Sequence, residues 1–280
     1  MPRKTVFITG CGPDGIGYSL AVEFQLRGHR VIASGLNDTL LAPFRDLGME
    51  TMAMDVTSEQ SIAAAASHTS KLTDGGIDIL INNAGVIQIM PMADASIADA
   101  RRLFDVNVLG VMAVTQAFLP LLLKSPAGIV ANMGSVNQVL CPAFFSAYNA
   151  SKAAVEALST TMRLELAPLG VRVILLKTGS VRTGLFGHAL GQTTLPAGSL
   201  YEPLREWIEG RKMLEAGQHV DSNVYARGVV DDLLRDNVRN VVWRGGLTTL
   251  AWVLTWFGWA GMLDSAMIKG NGLDKIKRPS

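Results

Sequence analysis

Two cysteines, 18% charged residues and a net charge of +1 say most about this 280-residue chain through what they exclude. Cys11 and Cys141 match no metal-ligand spacing, and Cys11 falls in a glycine-rich loop. Free thiols in a reducing compartment are therefore expected, with no metal site. A nucleic-acid footprint needs a clustered basic excess. The lysines and arginines here are scattered, apart from a short tail at Lys275, Lys277 and Arg278 that reads as a solvated terminus. Met1, Pro2, Arg3 and Lys4 lead straight into an apolar strand pattern and leave no room for a secretory leader, so a cytoplasmic location is expected. No shift in composition marks a second domain, and no segment repeats.

Apolar material is abundant, at 49% of residues, which is enough to cover both faces of a sheet. Short β-rich runs at 5–9, 30–34, 51–54, 77–81, 128–132, 171–176 and 240–243 alternate with helical stretches at 16–27, 38–47, 58–72, 97–123, 147–168 and 221–236. Most of the short runs are continuously apolar, as parallel strands buried on both faces should be. The expected fold is α/β: a Rossmann-type doubly wound parallel sheet of about seven strands, with helices on both faces. Residues 1–246 would form one dinucleotide-binding catalytic domain, in which the long insertion 180–217 acts as a lid over the substrate. Residues 247–280 would form an apolar C-terminal extension.

The loop Thr9-Gly10-Cys11-Gly12-Pro13-Asp14-Gly15-Ile16-Gly17 follows the first strand and opens the first helix. Glycines there permit a tight turn and close approach of a pyrophosphate, and the helix N-terminus offers free N–H groups to it. At this point the sequence resembles the classical short-chain dehydrogenase/reductase family. The loop carries one more residue between Gly10 and Gly15 than the usual pattern. That longer form is similar to the fungal NADPH-dependent 1-acyldihydroxyacetone-phosphate reductase-like branch.

Tyr148-Asn149-Ala150-Ser151-Lys152 is the most specific signal, because positions i and i+4 share one face of a helix. A free tyrosine titrates near 10, and lowering that by about 3 units takes roughly 4 kcal/mol in favour of the phenolate. An ammonium about 5 Å away contributes roughly 3 kcal/mol at an effective dielectric of 20. Lys152 is therefore expected to tune Tyr148 as an acid/base. Ser135, thirteen residues before Tyr148 and just past a strand, offers a hydroxyl to the substrate oxygen.

The resemblance implies further roles. Asn107 maps onto the asparagine that holds a helix open for a water of the proton relay, which places Asn107 with Ser135, Tyr148 and Lys152 in the catalytic set. Cofactor contacts are implied for Gly10, Gly15, Ile16, Gly17, Ser34, Asp55, Val56, Asn82, Ala84, Gly85, Tyr148, Lys152, Val181 and Thr183. In Thr178-Gly179-Ser180-Val181-Arg182-Thr183, Thr178 replaces the family's proline, which is expected to loosen that turn.

NAD specificity usually needs a carboxylate at the end of the second strand. Here Ser34, Gly35, Leu36 and Asn37 supply none before Asp38, so NADP(H) is favoured over NAD(H). The arginine common in NADPH-dependent relatives is also absent, with Leu36 in its place. Val136, Cys141, Phe144, Phe145, Leu185 and Phe186 would line an apolar pocket for a lipid, steroid, terpenoid or polyketide alcohol or ketone. A redox-neutral epimerase or isomerase and a catalytically silent dinucleotide-binding module share these motifs and stay open. The expected partners are that small molecule and further copies of the chain, with no nucleic acid. The uncharged run 247–263 has Trp252, Trp256 and Trp259 on one face if it is helical. It reads either as a helix closing the pocket or joining subunits, or as a peripheral attachment to an intracellular membrane.

Overall fold

The structure is a computed structural model describing residues 2–184, 194–214 and 219–277. All seven β-rich runs form strands: β1 (Thr5–Ile8), β2 (Arg30–Gly35), β3 (Glu50–Ala53), β4 (Ile79–Asn82), β5 (Ile129–Ser135), β6 (Arg172–Thr178) and β7 (Val241–Arg244). They pair in parallel in the order β3-β2-β1-β4-β5-β6-β7. The order reverses between β1 and β4, and it is outside the carboxyl ends of strands at such a switch point that α/β sheets bind ligands.

The six expected helices are present, with ends moved by up to three residues. They are α1 (Ile16–Leu26), α2 (Asp38–Asp46), α3 (Glu59–Leu72), α4 (Ile97–Phe104) running on into α5 (Gly110–Leu122), α7 (Ser146–Leu166) and α9 (Ser222–Leu233). The short helix α6 (Asn137–Leu140), only four residues long, shows no periodic pattern, whereas α8 (Arg205–Glu209) falls where the sequence around Trp207 reads as helical. Side chains end several of these helices where an N-terminus leaves amides unpaired. Asn37 accepts from the Leu40 amide, Ser58 from that of Ser61, and Asp221 from those of Asn223 and Val224.

Because strand side chains alternate between faces, β1 sends Val6 and Ile8 into one core and Phe7 into the other. The first core joins them to Leu20 and Phe24 of α1 and Val229 of α9. The second joins Phe7 to Ile62 of α3, Phe118 of α5 and Met162 of α7. Both free thiols are as expected: Cys11 is buried and Cys141 exposed. Burial raises the Cys11 thiol to about 12, so it stays protonated.

The chain after β7 differs from one continuous apolar helix. It forms α10 (Thr248–Phe257), stops at Gly258 in extended conformation, turns, and resumes as α11 (Asp264–Gly270). A ten-residue helix is about half the length needed to span a bilayer. Trp252 and Trp256 share a helical face, but Trp259 lies past the helix end.

Candidate active site

The carboxyl ends of β1, β4, β5 and β6 open onto a cavity of about 750 Å³. The glycine loop forms one wall. Gly10 sits at φ +66°, and a Cβ there would stand 2.4 Å from Ala84 Cα. Only glycine allows the loop to lie this close to the end of β4. Thr9 and Asn83 knit the two together: Thr9 Oγ1 accepts from the Asn83 and Ala84 amides, and Asn83 Nδ2 donates to the Thr9 and Gly10 carbonyls. The α1 N-cap, Gly15, supplies no side-chain acceptor, and the first turn carries no acid. Its amides are therefore available to an anion.

Of the residues expected to hold a cofactor, Gly10, Gly15, Ile16, Asp55, Val56, Ala84, Gly85, Tyr148, Lys152, Val181 and Thr183 all line this cavity. Gly17, Ser34 and Asn82 lie outside that lining. Ser34 is 0% exposed and donates to the Ile8 carbonyl, because strand alternation turns its side chain into the sheet. Leu36 and Leu40 form that corner instead. Asn82 is buried one layer below, donating to Thr115 and Asn132, while its neighbour Asn83 faces the cavity. Gly17 packs against Asn83, whose Nδ2 would be 2.8 Å from a Cβ. Asp55 accepts from the amide and hydroxyl of Thr57 and leaves the α3 cap to Ser58.

The chemical groups stand on the cavity's inner side. α7 carries Tyr148 and Lys152, with the Lys152 ammonium 5.6 Å from the Tyr148 ring centroid. Lys152 Nζ donates to the Met133 carbonyl at 2.8 Å. Burial lowers the Lys152 pKa to about 8. Burial also raises that of Tyr148, opposed by its hydrogen bond with Ser135. Desolvation thus outweighs the downward tuning expected from Lys152. Ser135 Oγ accepts from the Asn137 amide at 3.1 Å.

Asn107 is 1% exposed, and no helix face of a surface residue. It lies in a π-helical stretch, Asp105–Leu109, where the passage from α4 to α5 widens. Its side chain accepts from the Val86 amide and donates to the Val86 carbonyl and Ser151 Oγ. Ser151 in turn donates to the Tyr148 carbonyl. Asn107 therefore ties the β4 exit to the helix that carries Tyr148.

The Thr178 turn is held rather than loosened. Thr178 Oγ1 lies 2.6 Å from the Tyr225 hydroxyl, and its carbonyl accepts from the Val136 amide. Val136 and Phe145 line the cavity, whereas Phe144 packs behind it with Ile87 and Leu204, and Cys141 faces solvent. Leu185 and Phe186 lie outside the described residues. Trp207, Met213 and Leu214 of the insertion expected as a lid also line the cavity, as does Leu247 at the start of the apolar run, whereas His219, Ala266, Met267, Gly270 and Asn271 line it without any sequence signal. They come from segments more than fifty residues beyond Tyr148, and only folding brings them to it.

The residues fit a dinucleotide. A left-handed glycine loop meets an uncapped helix N-terminus at a topological switch point, and a Cβ on Gly85 would lie 3.8 Å from Lys152 Nζ. Fold and site together define a Rossmann-type oxidoreductase that binds a nicotinamide dinucleotide. The short chain dehydrogenase family model matches residues 4–192. A short-chain dehydrogenase/reductase of Pestalotiopsis microspora is 42% identical over 99% of this chain and 97% of its own length. A short-chain dehydrogenase of Talaromyces islandicus is 37% identical over 98% and 97%. Among solved structures, a short-chain dehydrogenase from Streptomyces avermitilis superposes with a TM-score of 0.76 at 28% identity, covering 98% of this chain and 97% of that one. The chain belongs to the short-chain dehydrogenase/reductase family.

Proposed function

We propose that the protein is an NADP(H)-dependent reductase, or alcohol dehydrogenase in reverse, of a hydrophobic ketone or secondary alcohol, with Tyr148 as acid/base. The observation that carries this reading is the convergence of Ser135, Tyr148 and Lys152 on one largely apolar cavity. When bound, the nicotinamide supplies or accepts the hydride. Tyr148 donates its phenolic proton to the carbonyl oxygen in reduction and takes it back in oxidation. Ser135, with its oxygen already accepting from the Asn137 amide, has its own proton free to point at Tyr148 or the substrate oxygen. The charge on Lys152 favours the phenolate left behind, and its ammonium would also hold the nicotinamide ribose.

The preference for NADP(H) rests on the β2–α2 corner. No carboxylate stands between Ser34 and Asn37, and the nearest acid, Asp38, is engaged by Arg45 at 2.9 Å. The hydrophobic substrate class rests on Val136, Leu140, Phe145, Trp207, Leu214 and Met267 around the inner cavity. The likeness to the 1-acyldihydroxyacetone-phosphate reductase-like branch agrees with a lipophilic ketone.

A panel of aliphatic, steroidal and polyketide-type carbonyl compounds, assayed with NADPH and NADH by loss of reduced-nicotinamide absorbance, tests the reading. Stoichiometric oxidation of NADPH with at least one member is expected. Product formation without net cofactor oxidation would replace it with an epimerase or isomerase, and cofactor binding without any turnover would leave a silent module.

A further inference from the structure

A lysine inside a strand of the sheet has no part in the chemistry above. Lys177 follows Val173-Ile174-Leu175-Leu176 on β6 and is 3% exposed. Burying an ammonium costs several kcal/mol unless it is paired. Lys177 Nζ lies 2.7 Å from Glu156 Oε1 and 4.6 Å from the Trp243 ring centroid. Glu156 stands on α7 four residues beyond Lys152 and eight beyond Tyr148, on the same helical face. Its other oxygen accepts from Gln138 Nε2 at 2.5 Å. Gln138, on α6, then accepts from the backbone N–H of Ser135 at 3.0 Å.

The direction of each bond follows from the one before it. A carboxylate only accepts, so Glu156 draws the NH₂ end of the Gln138 amide and turns its oxygen to Ser135. The reversed amide would set donor against donor at Ser135. Lys177 holds the Glu156 carboxylate in place at 2.7 Å, and a charge-assisted bond holds the amide more firmly than a neutral one. Gly134 leaves the necessary space, since a Cβ there would lie 3.1 Å from Gln138 Oε1.

We propose that Lys177, Glu156 and Gln138 are positioning residues. Acting as a relay from β6 through α7 and α6, they fix the Ser135 peptide so that the Ser135 hydroxyl meets Tyr148. This rests on the proposed role of Ser135 at the substrate oxygen. A pair serving only to hold β6 against α7 would leave the Ser135 peptide unaffected when Gln138 is changed.

The test uses the full chain as Lys177→Met, Lys177→Arg, Gln138→Leu, Gln138→Glu and Ser135→Ala variants. In Lys177→Met and Gln138→Leu, the Ser135 amide should exchange hydrogen roughly tenfold faster, with residues 129–132 unchanged. In the same variants kcat for the best ketone of the panel should fall about tenfold. The NADPH Kd should stay within about twofold, because neither residue lines the cavity. Lys177→Arg should restore most of kcat. Gln138→Glu sets two carboxylates together that must share a proton. Its activity relative to the unsubstituted chain should therefore be preserved at acidic pH and fall as pH rises, a dependence Gln138→Leu lacks.

Unaltered exchange at Ser135 in Gln138→Leu would overturn the relay. So would full kcat in Lys177→Met and Gln138→Leu alongside a disabled Ser135→Ala. Should Lys177→Met fail to fold, the two Gln138 variants decide the question, since Gln138 is only half-buried. Full turnover by Ser135→Ala would instead remove the catalytic reading of Ser135, while the exchange data still judge the tether.

Discussion

Tyr148 and Lys152 share a buried place, and each pays for burial in the opposite direction. The tyrosine is driven toward its neutral phenol and the lysine toward its neutral amine. Tyr148→Phe should keep the fold and NADPH affinity yet lose at least about 100-fold in turnover, the scale of a general acid/base. Lys152 must be charged to favour the phenolate, while reduction needs the tyrosine protonated. Its pKa of about 8 therefore predicts that kcat/KM for reduction holds steady at neutral pH and falls as pH rises through about 8. A profile still flat at about pH 9.5 would remove Lys152 from that role. Stability should show the opposite trend. The native lysine titrates near 8 and the unfolded one near 10.5, so between these values the unfolded chain binds more protons and stability rises with pH. Below about 8 the full penalty of burying the charge is present. Lys152→Met should accordingly raise the urea midpoint at pH 7, by a margin that shrinks above pH 8.

At the level of elements, the proposed preference for NADP(H) rests on the corner between β2 and α2. β2 turns Ser34 inward and ends at Gly35, where a Cβ would come within 2.4 Å of the Cys11 carbonyl oxygen. The first side chain free to face the cavity is therefore Leu36, which is largely exposed. A carboxylate at that position would repel a 2′-phosphate and bind ribose hydroxyls. The unsubstituted chain should favour NADPH in kcat/KM, and Leu36→Asp should shift the ratio toward NADH by tenfold or more, on the order of 1.4 kcal/mol. A tenfold advantage for NADH in the unsubstituted chain would refute the corner argument. The passage from α4 to α5 is a second case. Its sequence reads as one uninterrupted helix, yet Asp105–Leu109 is π-helical, with Asn107 bridging Val86 and Ser151. No pattern of apolar spacing encodes that bulge, because the partners of Asn107 lie on other elements.

Across the whole molecule, the extension beyond Gly246 has two faces. Inward, Leu247, Ala266, Met267, Gly270 and Asn271 line the cavity, and Ala251 and Leu254 pack with Val136, Leu140 and Trp243. Outward, Trp252, Phe257 and Trp259 stand exposed, as does Trp256 at 69%. A chain ending at Gly246 should still bind NADPH through α1 and the glycine loop but lose turnover of bulky hydrophobic ketones. Retained turnover would show that the extension does not build the substrate site. We propose the exposed aromatic group as the place where a peripheral bilayer contact would form, since such a contact suits side chains with one apolar and one wet side. Flotation of the intact chain with anionic liposomes, abolished by Trp256→Ser with Phe257→Ser, is the expected result. An intact chain that stays wholly in the soluble fraction would limit the extension to its pocket-closing role.

Much of this was legible in the chain itself, for a local reason. Strand and helix periods are short-range, so seven apolar runs and their intervening helices could be placed to within about three residues. The glycine loop and the Tyr148–Lys152 spacing are likewise properties of neighbouring residues on a single turn or helix. Tertiary structure decided what depends on distant partners. It turned Ser34 and Asn82 away from the cavity and Asn83 toward it, and held Thr178 through Tyr225. It broke the apolar tail into two helices, and brought Met267 and Trp207 to a cavity whose Tyr148 and Lys152 lie far earlier in the chain. Above all it placed Lys177, Glu156 and Gln138 end to end behind Ser135. Each of these contacts is made by side chains from separate elements, and their meeting is set by the packing of helices on a twisted sheet, which no local pattern records.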